Sequence, residues 1–439
     1  MPENCLVYDF ERGFSMDYKY FKEFELPKAP EFPDYTVSIV DFGAKEGGKE
    51  LISDAVRKAI EDVSAHGGGR VVFPKGKWLG GKIHLKDNIN LHFEEGCTVS
   101  FTSVKEEYLP VVFTCFEGIR CYNYSPFVYA NGCKNIAVTG KGELNGNGFE
   151  WWSWKLNDDG INDIYTKCMK NSPLEERVYG TKAWGLRPCF LQFIDCENVL
   201  IEDITLRESP FWTVHQVWSK NVLIRGITLK NPRNSHNTDS INIEGCDGVL
   251  VEHCHILGGG DDIYTIKSGR GPDGWAVNKP CKNVVIRYCT AHNVQGGGIA
   301  IGSEMSGGVE NILAHDCQFD DISFPVSIKS KKGRGGYIKN IEYHNLKCNT
   351  SRWGVRLTLK YSADDRFQGN DLTQLPEIRN IWVENLECEN MREESILLDG
   401  VPGCEVYNVT IKDSTFKNAG LPVKIDYMQN VTLDNVSLR

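Results

Sequence analysis

Three aspartates are spaced so that their carboxyl groups can meet. Asp239 ends the stretch Asn237-Thr238-Asp239, and Asp261 and Asp262 follow three glycines one repeat further along the chain. Hydrolysis of a glycosidic bond with inversion needs one carboxylic acid to protonate the leaving oxygen and another carboxylate to activate water, roughly 6.5–9.5 Å away. Clustered carboxylates also repel one another, which raises the pKa of at least one of them. The trio therefore indicates general acid/base chemistry on a sugar.

Asp261 and Asp262 are adjacent, so on a regular strand their side chains would point in opposite directions. The glycines at 258–260 permit a bend that turns both toward one space. An Asp-Asp pair after glycines is by itself more typical of a surface turn. An Asn-Thr-Asp stretch one repeat before it and an Ile-Gly-Ser-Glu stretch at 301–304 favour a site instead.

The segment Asn-(Val/Ile)-x-(Val/Ile/Leu) recurs along the chain, with the glycine at 248 filling one slot. Its starts are Asn135, Asn198, Asn221, Asn283, Asn311, Asn340, Asn380, Asn408 and Asn430. Irregular spacing and short alternating apolar runs, with Gly, Asn and Asp between, are typical of the coils of a parallel β-helix. The repeated asparagine is expected to bond main-chain groups of the next coil at a tight turn. Leucine-rich repeats and propellers have more regular periods, and neither pattern is present.

The expected fold is all-β, a parallel β-helix solenoid with a short N-terminal capping helix. A single catalytic domain is predicted over residues 38–439, after an N-terminal extension at 1–37. Ser53 is predicted to cap a helix that covers the open end of the first coil, and glycines at 67–69 end it. Residues 145–190 interrupt the repeat and carry four tryptophans, and they are predicted to form a long loop beside the cleft.

The formal net charge of −10 argues against a nucleic acid or an anionic membrane as partner. No apolar stretch is long enough for a membrane span or a signal-peptide core. Many of the sixteen cysteines, among them Cys254, Cys289 and Cys317, recur at one phase of the repeat, which favours buried reduced thiols. A cytoplasmic location is therefore expected, or a secreted or periplasmic one if a signal peptide preceded the first residue. The oligomeric state is left open.

No cofactor and no metal site is expected. Ten histidines show no metal-type spacing with cysteine beyond His253-Cys254-His255, whose side chains alternate across a strand. An anionic polysaccharide would need a local basic cleft. Candidates for its lining are Lys267, Lys329, Lys331, Lys332 and Arg334.

An ensemble of short motifs, in order and spacing through about residues 38–361, resembles glycoside hydrolase family 28, the polygalacturonases and related pectin hydrolases, and most of all their bacterial branch. The matching stretches are Asp41-Phe42-Gly43-Ala44, Ser209 to His215, Asn237 to Asp239, Gly260 to Asp262, Ile266 to Gly269, and Ile301 to Gly308. The resemblance implies a right-handed parallel β-helix and metal-independent inverting hydrolysis of a pectin-derived oligosaccharide or polysaccharide.

By motif, the resemblance implies that Asp261 is the general acid and that Asp239 and Asp262 hold and deprotonate the attacking water. The residues that it implies at the substrate are Lys267, Lys329, Tyr361, Arg187, His215 and Asn237. A solvated lysine at 267 and a tyrosine packed on the exterior at 361 remain alternatives. A structural role suits His215 better than catalysis.

Two departures from the family pattern concern the sugar. Gln295-Gly296-Gly297-Gly298 stands where a histidine usually precedes Ile-Gly-Ser, and Ser327-Ile328-Lys329 stands where Arg-x-Lys is usual. Losing that arginine removes a bidentate partner for a galacturonate carboxylate. Either the sugar at the cleavage site differs, or another residue such as Arg334 or Arg356 makes the contact, or activity is reduced or lost.

The leading hypothesis is a hydrolase of galacturonan or rhamnogalacturonan saccharides, and the insertion at 145–190 suggests exo action. Alternatives are a hydrolase of another sugar, such as rhamnose on pectic oligomers, a β-helix polysaccharide lyase, and a non-catalytic carbohydrate-binding β-helix. A lyase would need a cationic base and often calcium, whereas adjacent aspartates favour hydrolysis.

Overall fold

The computed structural model describes residues 18–156, 159–362 and 373–439, which wind into a right-handed parallel β-helix with three faces. Sheet 1 contains Thr36–Ser38, Gly69–Phe73, Ile89–Phe93, Lys134–Thr139, Glu197–Glu202, Lys220–Arg225, Asp247–Glu252, Cys281–Arg287, Val309–His315, Tyr337–Ser351, Glu377–Asp399, Val406–Lys412 and Met428–Asp434. The strands of each face pair in parallel with those of the next coil. The predicted fold class is confirmed.

The long strands Tyr337–Ser351 and Glu377–Asp399 run on from sheet 1 and also pair with strands of the other faces. Sheet 2 contains Gly76–Gly80, Cys97–Phe101, Glu143–Asn145, Thr205–Arg207, Thr228–Lys230, His255–Gly259, Thr290–Val294, Gln318–Asp320, Thr415–Phe416 and Ser437–Leu438. Sheet 3 contains Ile83–His84, Val128–Asn131, Leu191–Ile194, Val214–Val217, Ile241–Glu244, Tyr264–Lys267, Gly297–Ile301, Phe324–Lys329, Val355–Thr358 and Ala419–Asp426. Sheet 3 carries the candidate site on its outer surface.

The remaining elements lie outside the coils. An antiparallel hairpin joins Val112–Phe116 to Ile119–Asn123. The α-helices are Ser53–Ala65, Phe149–Trp152, Asp159–Met169 and Gly271–Val277, and the 3₁₀ helices are Ile39–Phe42, Lys105–Tyr108, Ser153–Leu156, Leu174–Glu176 and Lys182–Trp184. The segment at 145–190 is thus largely helical, and the prediction of a long loop was wrong. Apolar residues with helical spacing bury one side of Asp159–Met169 against the hairpin.

The helix Ser53–Ala65 buries Val56, Ile60 and Val63 beneath the first coil. This agrees with the predicted capping helix, although the helix begins at Ser53 itself. Ile52 occupies the N-cap position, so the expected capping bond from the serine is absent. Within the described ranges, no helix is long and apolar enough to cross a membrane.

The repeated asparagines stack in register with left-handed backbone conformations. The side-chain Nδ2 of Asn198 donates to Oδ1 of Asn135 at 2.9 Å, and that of Asn221 donates to Asn198 at 3.1 Å. The expected bonds to main-chain groups of the next coil are therefore replaced by an amide ladder. Parallel strands lie about 4.8 Å apart, so identical side chains in successive coils meet and pair with one another.

Residues 18–34 form an N-terminal strap that lies along the outside of sheet 1. Phe21 packs on an outward row that includes Leu200, Leu223 and Leu250. The backbone N–H of Phe21 also donates to Oε1 of Glu342 at 2.7 Å. The strap thus covers apolar side chains on several coils that water would otherwise contact.

Substitution of Asn380 tests the amide ladder. Its Nδ2 donates to Asn340 at 2.9 Å, its Oδ1 accepts from Asn408 at 3.0 Å, and its φ is +59°. Asn380→Ala loses both bonds, each about 0.5–1.5 kcal/mol, and places a Cβ in the left-handed region. We expect Asn380→Gly, which avoids that strain, to be more stable than Asn380→Ala by about 0.5–1 kcal/mol in denaturant unfolding.

Asn171 supplies the control for this comparison, because it lies outside the ladder and has φ +51°. Asn171→Ala introduces only the strain of a Cβ in the left-handed region, so it should lower the free energy of unfolding less than Asn380→Ala does. Equal losses of unfolding free energy for the two alanine variants would show that the ladder bonds contribute nothing.

Candidate active site

A cleft of about 300 Å³ opens on the outer face of sheet 3. Its floor is formed where strands Ile241–Glu244 and Tyr264–Lys267 begin, because the segments that lead into them carry the aspartates. Its lining includes Glu117, Ile161, Tyr165, Trp212, Asn237, Asp239, Asp261, Asp262, Lys267, Arg270, Gln295, Glu304, Lys329 and Tyr361.

Close backbone contacts between coils bring the aspartates together. The hydroxyl of Thr238 accepts a bond from the N–H of Gly260 at 3.0 Å, which joins the two segments that carry them. A Cβ at Gly260 would lie 1.8 Å from the carbonyl oxygen of Ser235, and one at Gly296 would lie 2.1 Å from the backbone nitrogen of Asp262. Only glycine fits at either position.

One carboxylate oxygen from each of Asp239, Asp261 and Asp262 lies within 4.8 Å of the others. The sequence prediction that the three meet around one space agrees with this geometry. The expected separation of roughly 6.5–9.5 Å was wrong for these nearest oxygens. Close backbone contacts at Gly260 and Gly296 let neighbouring coils approach one another. The three carboxyls therefore share one space, where the expected separation would have left room for a water between two of them.

The three carboxyls differ in pKa. Burial, and then the charge of Asp261, raise the pKa of Asp239 well above its ordinary value. Burial and the neighbouring Asp262 raise the pKa of Asp261. Burial acts in the same direction on Asp262, but Lys329 and Lys267 outweigh it and lower the pKa of that carboxyl. The shifts therefore favour a proton on Asp239 or Asp261 and the ionised form of Asp262.

Direct bonds hold the Asp262 carboxylate. Its Oδ2 lies 2.5 Å from Nζ of Lys329, and its Oδ1 accepts the N–H of Gly297 at 2.9 Å. The Gln-Gly-Gly-Gly stretch, which replaces the family histidine, thus supplies a backbone donor to the site. A Cβ at Gly297 would lie 1.9 Å from the ring of Phe324, so packing also requires glycine there. The sequence alone did not show this donor.

Lys267 is buried in the cleft lining and does not lie solvated at the edge of a coil. Its Nζ is 2.9 Å from Oε2 of Glu304, 3.6 Å from Oδ2 of Asp239 and 4.5 Å from the ring centroid of Trp212. Glu304 also receives the guanidinium of Arg270. Burial opposes the ionisation of Glu304, but Lys267 and Arg270 hold the pKa of this carboxyl well below its ordinary value.

Glu304 therefore joins two cations of the cleft lining through one carboxylate. Sequence reasoning used its Ile-Gly-Ser-Glu stretch only as a family marker and missed this role. The available signal was an acidic residue three positions beyond Ile301, the register partner of Ile266. Lys267 follows Ile266, and neighbours of opposite charge on adjacent strands pair with one another.

Arg187 and His215 lie beneath the cleft floor, buried and outside its lining. Arg187 donates to Oδ1 of Asn237 at 2.8 Å and to the carbonyl of His236 at 2.7 Å. His215 contacts Oε2 of Glu244 through Nε2 at 2.9 Å. Direct substrate contact, which the family resemblance implied for both, does not fit this burial.

Asn237 and Tyr361 do line the cleft. The backbone of Asn237 has φ +56°, and its Nδ2 donates to Oδ2 of Asp261 at 3.5 Å. Tyr361 lies in the lining, with Nζ of Lys329 at 5.3 Å from its ring centroid, so exterior packing is not its arrangement. Both side chains are placed to meet a ligand in the cleft.

A wall closes the cleft on the side of the earlier coils. Glu117, in the hairpin turn, accepts the hydroxyl of Tyr165 from the helix Asp159–Met169. Cζ of Arg270 lies 4.3 Å from the ring centroid of Tyr165, and its Nε donates to the carbonyl of Glu117 at 3.0 Å. These contacts tie the hairpin, the helix and sheet 3 into one barrier.

The aspartate trio offers three oxygens that a cation could bind. Lys267 and Lys329 already lie at 3.6 Å and 2.5 Å from two of these carboxylates. A divalent ion would have to displace both ammonium groups or tolerate their repulsion. The donor set therefore fits a metal poorly.

Comparison with known proteins gives the family. The model for glycosyl hydrolases family 28 matches residues 74–437. The chain belongs to this family. This glycoside hydrolase is 30% identical over 392 residues to a probable polygalacturonase of Vitis vinifera, covering 86% of this chain and 74% of that one.

Solved structures agree with this assignment. The family 28 chain is 35% identical to a hyperthermoactive exopolygalacturonase from Thermotoga maritima, with a TM-score of 0.88 and 94% of each chain covered. A family 28 exopolygalacturonase from Yersinia enterocolitica is 20% identical, with a TM-score of 0.74 over 91% of this chain and 75% of that one, which shows the same fold. The prediction of an inverting glycoside hydrolase of the pectin-degrading family is confirmed.

Replacement of Lys329 by methionine tests the control of Asp262. Removing the ammonium removes the larger of the two charges that lower this pKa, so the pKa should rise. Since less Asp262 is then ionised at a given pH, the acid limb of the kcat profile should move upward by about one to three pH units. Lys332→Met is the control, because Lys332 bonds the carbonyl of Pro402 outside the cleft. A uniformly lower profile with an unmoved limb would contradict this assignment.

Proposed function

We propose that this family 28 enzyme releases the terminal sugar from galacturonan-type oligosaccharides by inverting hydrolysis. The observation that carries the proposal is the aspartate trio in a cleft that is walled on one side and holds buried cations among its carboxylates. Similarity to the Thermotoga maritima exopolygalacturonase over 94% of the chain supports both the substrate class and the exo mode.

In this proposal Asp261 donates the proton to the leaving glycosidic oxygen. It is the least buried of the three aspartates, and its raised pKa keeps it protonated near neutral pH more than an ordinary aspartic acid would be. Asn237 bonds its Oδ2 and so fixes the direction of the carboxyl group. The proton then resides where a sugar in the cleft can receive it.

Asp262, with Asp239 beside it, holds the attacking water and takes its proton. Lys329 and the N–H of Gly297 stabilise the ionised form of Asp262. Asp239 has an Oδ1 that is buried and lacks a hydrogen-bond partner within the described residues. A buried unpaired oxygen is costly, and a bound water supplies the missing partner. The nearest-oxygen distance alone would suit a retaining pair, so inversion rests on family membership.

The buried cations of the cleft lining suit an acidic sugar. Lys267, Lys329 and Arg270 are buried cations in the lining. Burial strengthens their attraction for a carboxylate that replaces water in the cleft. An anionic galacturonate unit therefore fits better than a neutral rhamnose.

The wall of Glu117, Tyr165 and Arg270 supports exo action. A polymer that extended past the aspartates toward the earlier coils would meet this barrier. One sugar fits between the wall and the trio, and the rest of the chain leaves over the coil that carries Tyr361. Each cleavage then releases a monosaccharide.

We also infer a reducing compartment, in agreement with the expected cytoplasmic location. The fifteen cysteines of the described ranges are buried and none forms a disulfide there. Register pairs place Cys254, Cys289 and Cys317 in successive coils, one above another. Neighbouring thiols at this spacing are the arrangement that an oxidising compartment would cross-link.

Product analysis with Asp261→Asn tests the reaction. At early times the wild-type enzyme should convert a galacturonate trimer or pentamer to galacturonate and the oligomer that is one unit shorter, with an inverted anomeric centre on the released sugar seen by NMR. Asp261→Asn should reduce kcat by about 10²–10⁴-fold, because the leaving oxygen is no longer protonated. Formation of dimer together with trimer from the pentamer at early times would refute exo action, an ultraviolet-absorbing unsaturated product would indicate a lyase, and unchanged turnover by Asp261→Asn would refute the assigned acid.

Chelation tests the metal-independent reading of the trio. Since Lys267 and Lys329 already neutralise the carboxylates, treatment with EDTA should leave kcat/KM within experimental error. Added calcium should not raise it. Loss of activity on chelation with recovery on adding a divalent ion would contradict this expectation.

A further inference from the structure

Arg356 carries a positive charge without a carboxylate partner next to the candidate site. It lies in strand Val355–Thr358 of sheet 3 and is half-buried. Its Nε–H is buried and donates to no hydrogen-bond partner within the described residues, and the side chain forms no ion pair there. A partly desolvated guanidinium without a counter-charge is unfavourable, so such a group favours an anionic ligand.

Strand register places Arg356 beside the cleft. It pairs with Ser327, while Thr358 pairs with Lys329. Residues two apart on a strand point to the same side, so the side chains at 327, 329, 356 and 358 share the outer face. With strands about 4.8 Å apart and about 3.3 Å per residue, the Cα atoms of Arg356 and Lys329 lie about 8 Å apart. Both side chains can reach one carboxylate.

Aromatic rings hold the guanidinium in place. Its Cζ is 4.9 Å from the ring centroid of Trp353 and 5.6 Å from that of Phe324. Phe324 also packs against Gly297, which bonds Asp262. Packing on ring faces leaves the planar edge of an arginine able to form two parallel bonds to a carboxylate.

The other arginine near the site is already engaged. Nη2 of Arg334 lies 3.4 Å from the hydroxyl of Ser303, and its charge helps to lower the pKa of Glu304. Arg334 is not part of the cleft lining. Of the two arginines, Arg356 is the one whose charge is not matched by a carboxylate in the described ranges.

We propose that Arg356, together with Lys329, binds the carboxylate of the sugar on the leaving side of the scissile bond and so selects an acidic unit there. The side follows from the wall at Glu117 and Tyr165, because Arg356 lies beyond Asp262 in the opposite direction. This assignment rests on the proposed exo hydrolysis. Arg356 then supplies a bidentate contact to the carboxylate from the coil after Ser327, the position where the family usually has an arginine.

Two disaccharides separate this contact from the rest of the site. One is galacturonosyl-galacturonate, and the other is galacturonosyl-galactose, in which a CH₂OH group replaces the leaving-side carboxylate. The wild-type enzyme should prefer the first by about 10- to 100-fold in kcat/KM, which a charged bidentate bond can supply. In Arg356→Gln this preference should fall to nearly one, mainly through a higher KM for the acidic disaccharide.

Arg356→Lys should keep part of the preference, since it retains the charge and loses the fork. Arg352→Gln is the matched control: Arg352 also lies over Trp353, at 4.2 Å, but pairs with Glu393 at 3.3 Å. It should behave as wild type. If Arg356→Gln folds with an unchanged melting temperature and keeps the wild-type preference, the proposal is overturned. If the wild-type enzyme cleaves neither disaccharide nor any longer galacturonate oligomer, the proposed function fails instead.

Discussion

The stacking of parallel strands about 4.8 Å apart, with a register that shifts between Met391 and Glu394 but otherwise carries over from coil to coil, governs this molecule. Each residue on a coil has a defined neighbour on the next, so a side chain at one position is paired with its counterpart 22 to 63 residues later. Apolar counterparts build the core, and asparagines build the amide ladder. On the outer face of sheet 3 the same rule places acids beside bases.

The catalytic chemistry depends on this rule in a direct way. The two segments that carry the aspartates enter neighbouring strands, and glycines at 260 and 296 let their backbones approach. Because the three carboxyls are then too close to be ionised together, their protonation states separate. Lys329 favours the charged form of Asp262, and Glu304 holds the ammonium of Lys267 at 3.6 Å from Asp239.

Most of the fold and the position of the trio could be predicted from the sequence. The repeat shows which residues occupy the same position in successive coils, and stacking places those residues next to one another. The contacts between different faces and the insertion could not be read in this way. The helix Asp159–Met169, the burial of Arg187 and His215, and the bond from Gly297 to Asp262 depend on how loops pack across the coils. Strand register also places Arg356 beside the cleft, although Arg356 and Asp262 are far apart in the sequence.

The strap has a consequence for the order in which the chain acquires its structure. Phe21 bonds Glu342, a residue 321 positions later, and Lys22 bonds Asn311. During synthesis, the strap cannot form this contact until residue 342 has left the ribosome. Coils formed in the meantime present a bare row of leucines, which a chaperone or a neighbouring nascent chain can meet before the strap fastens across them.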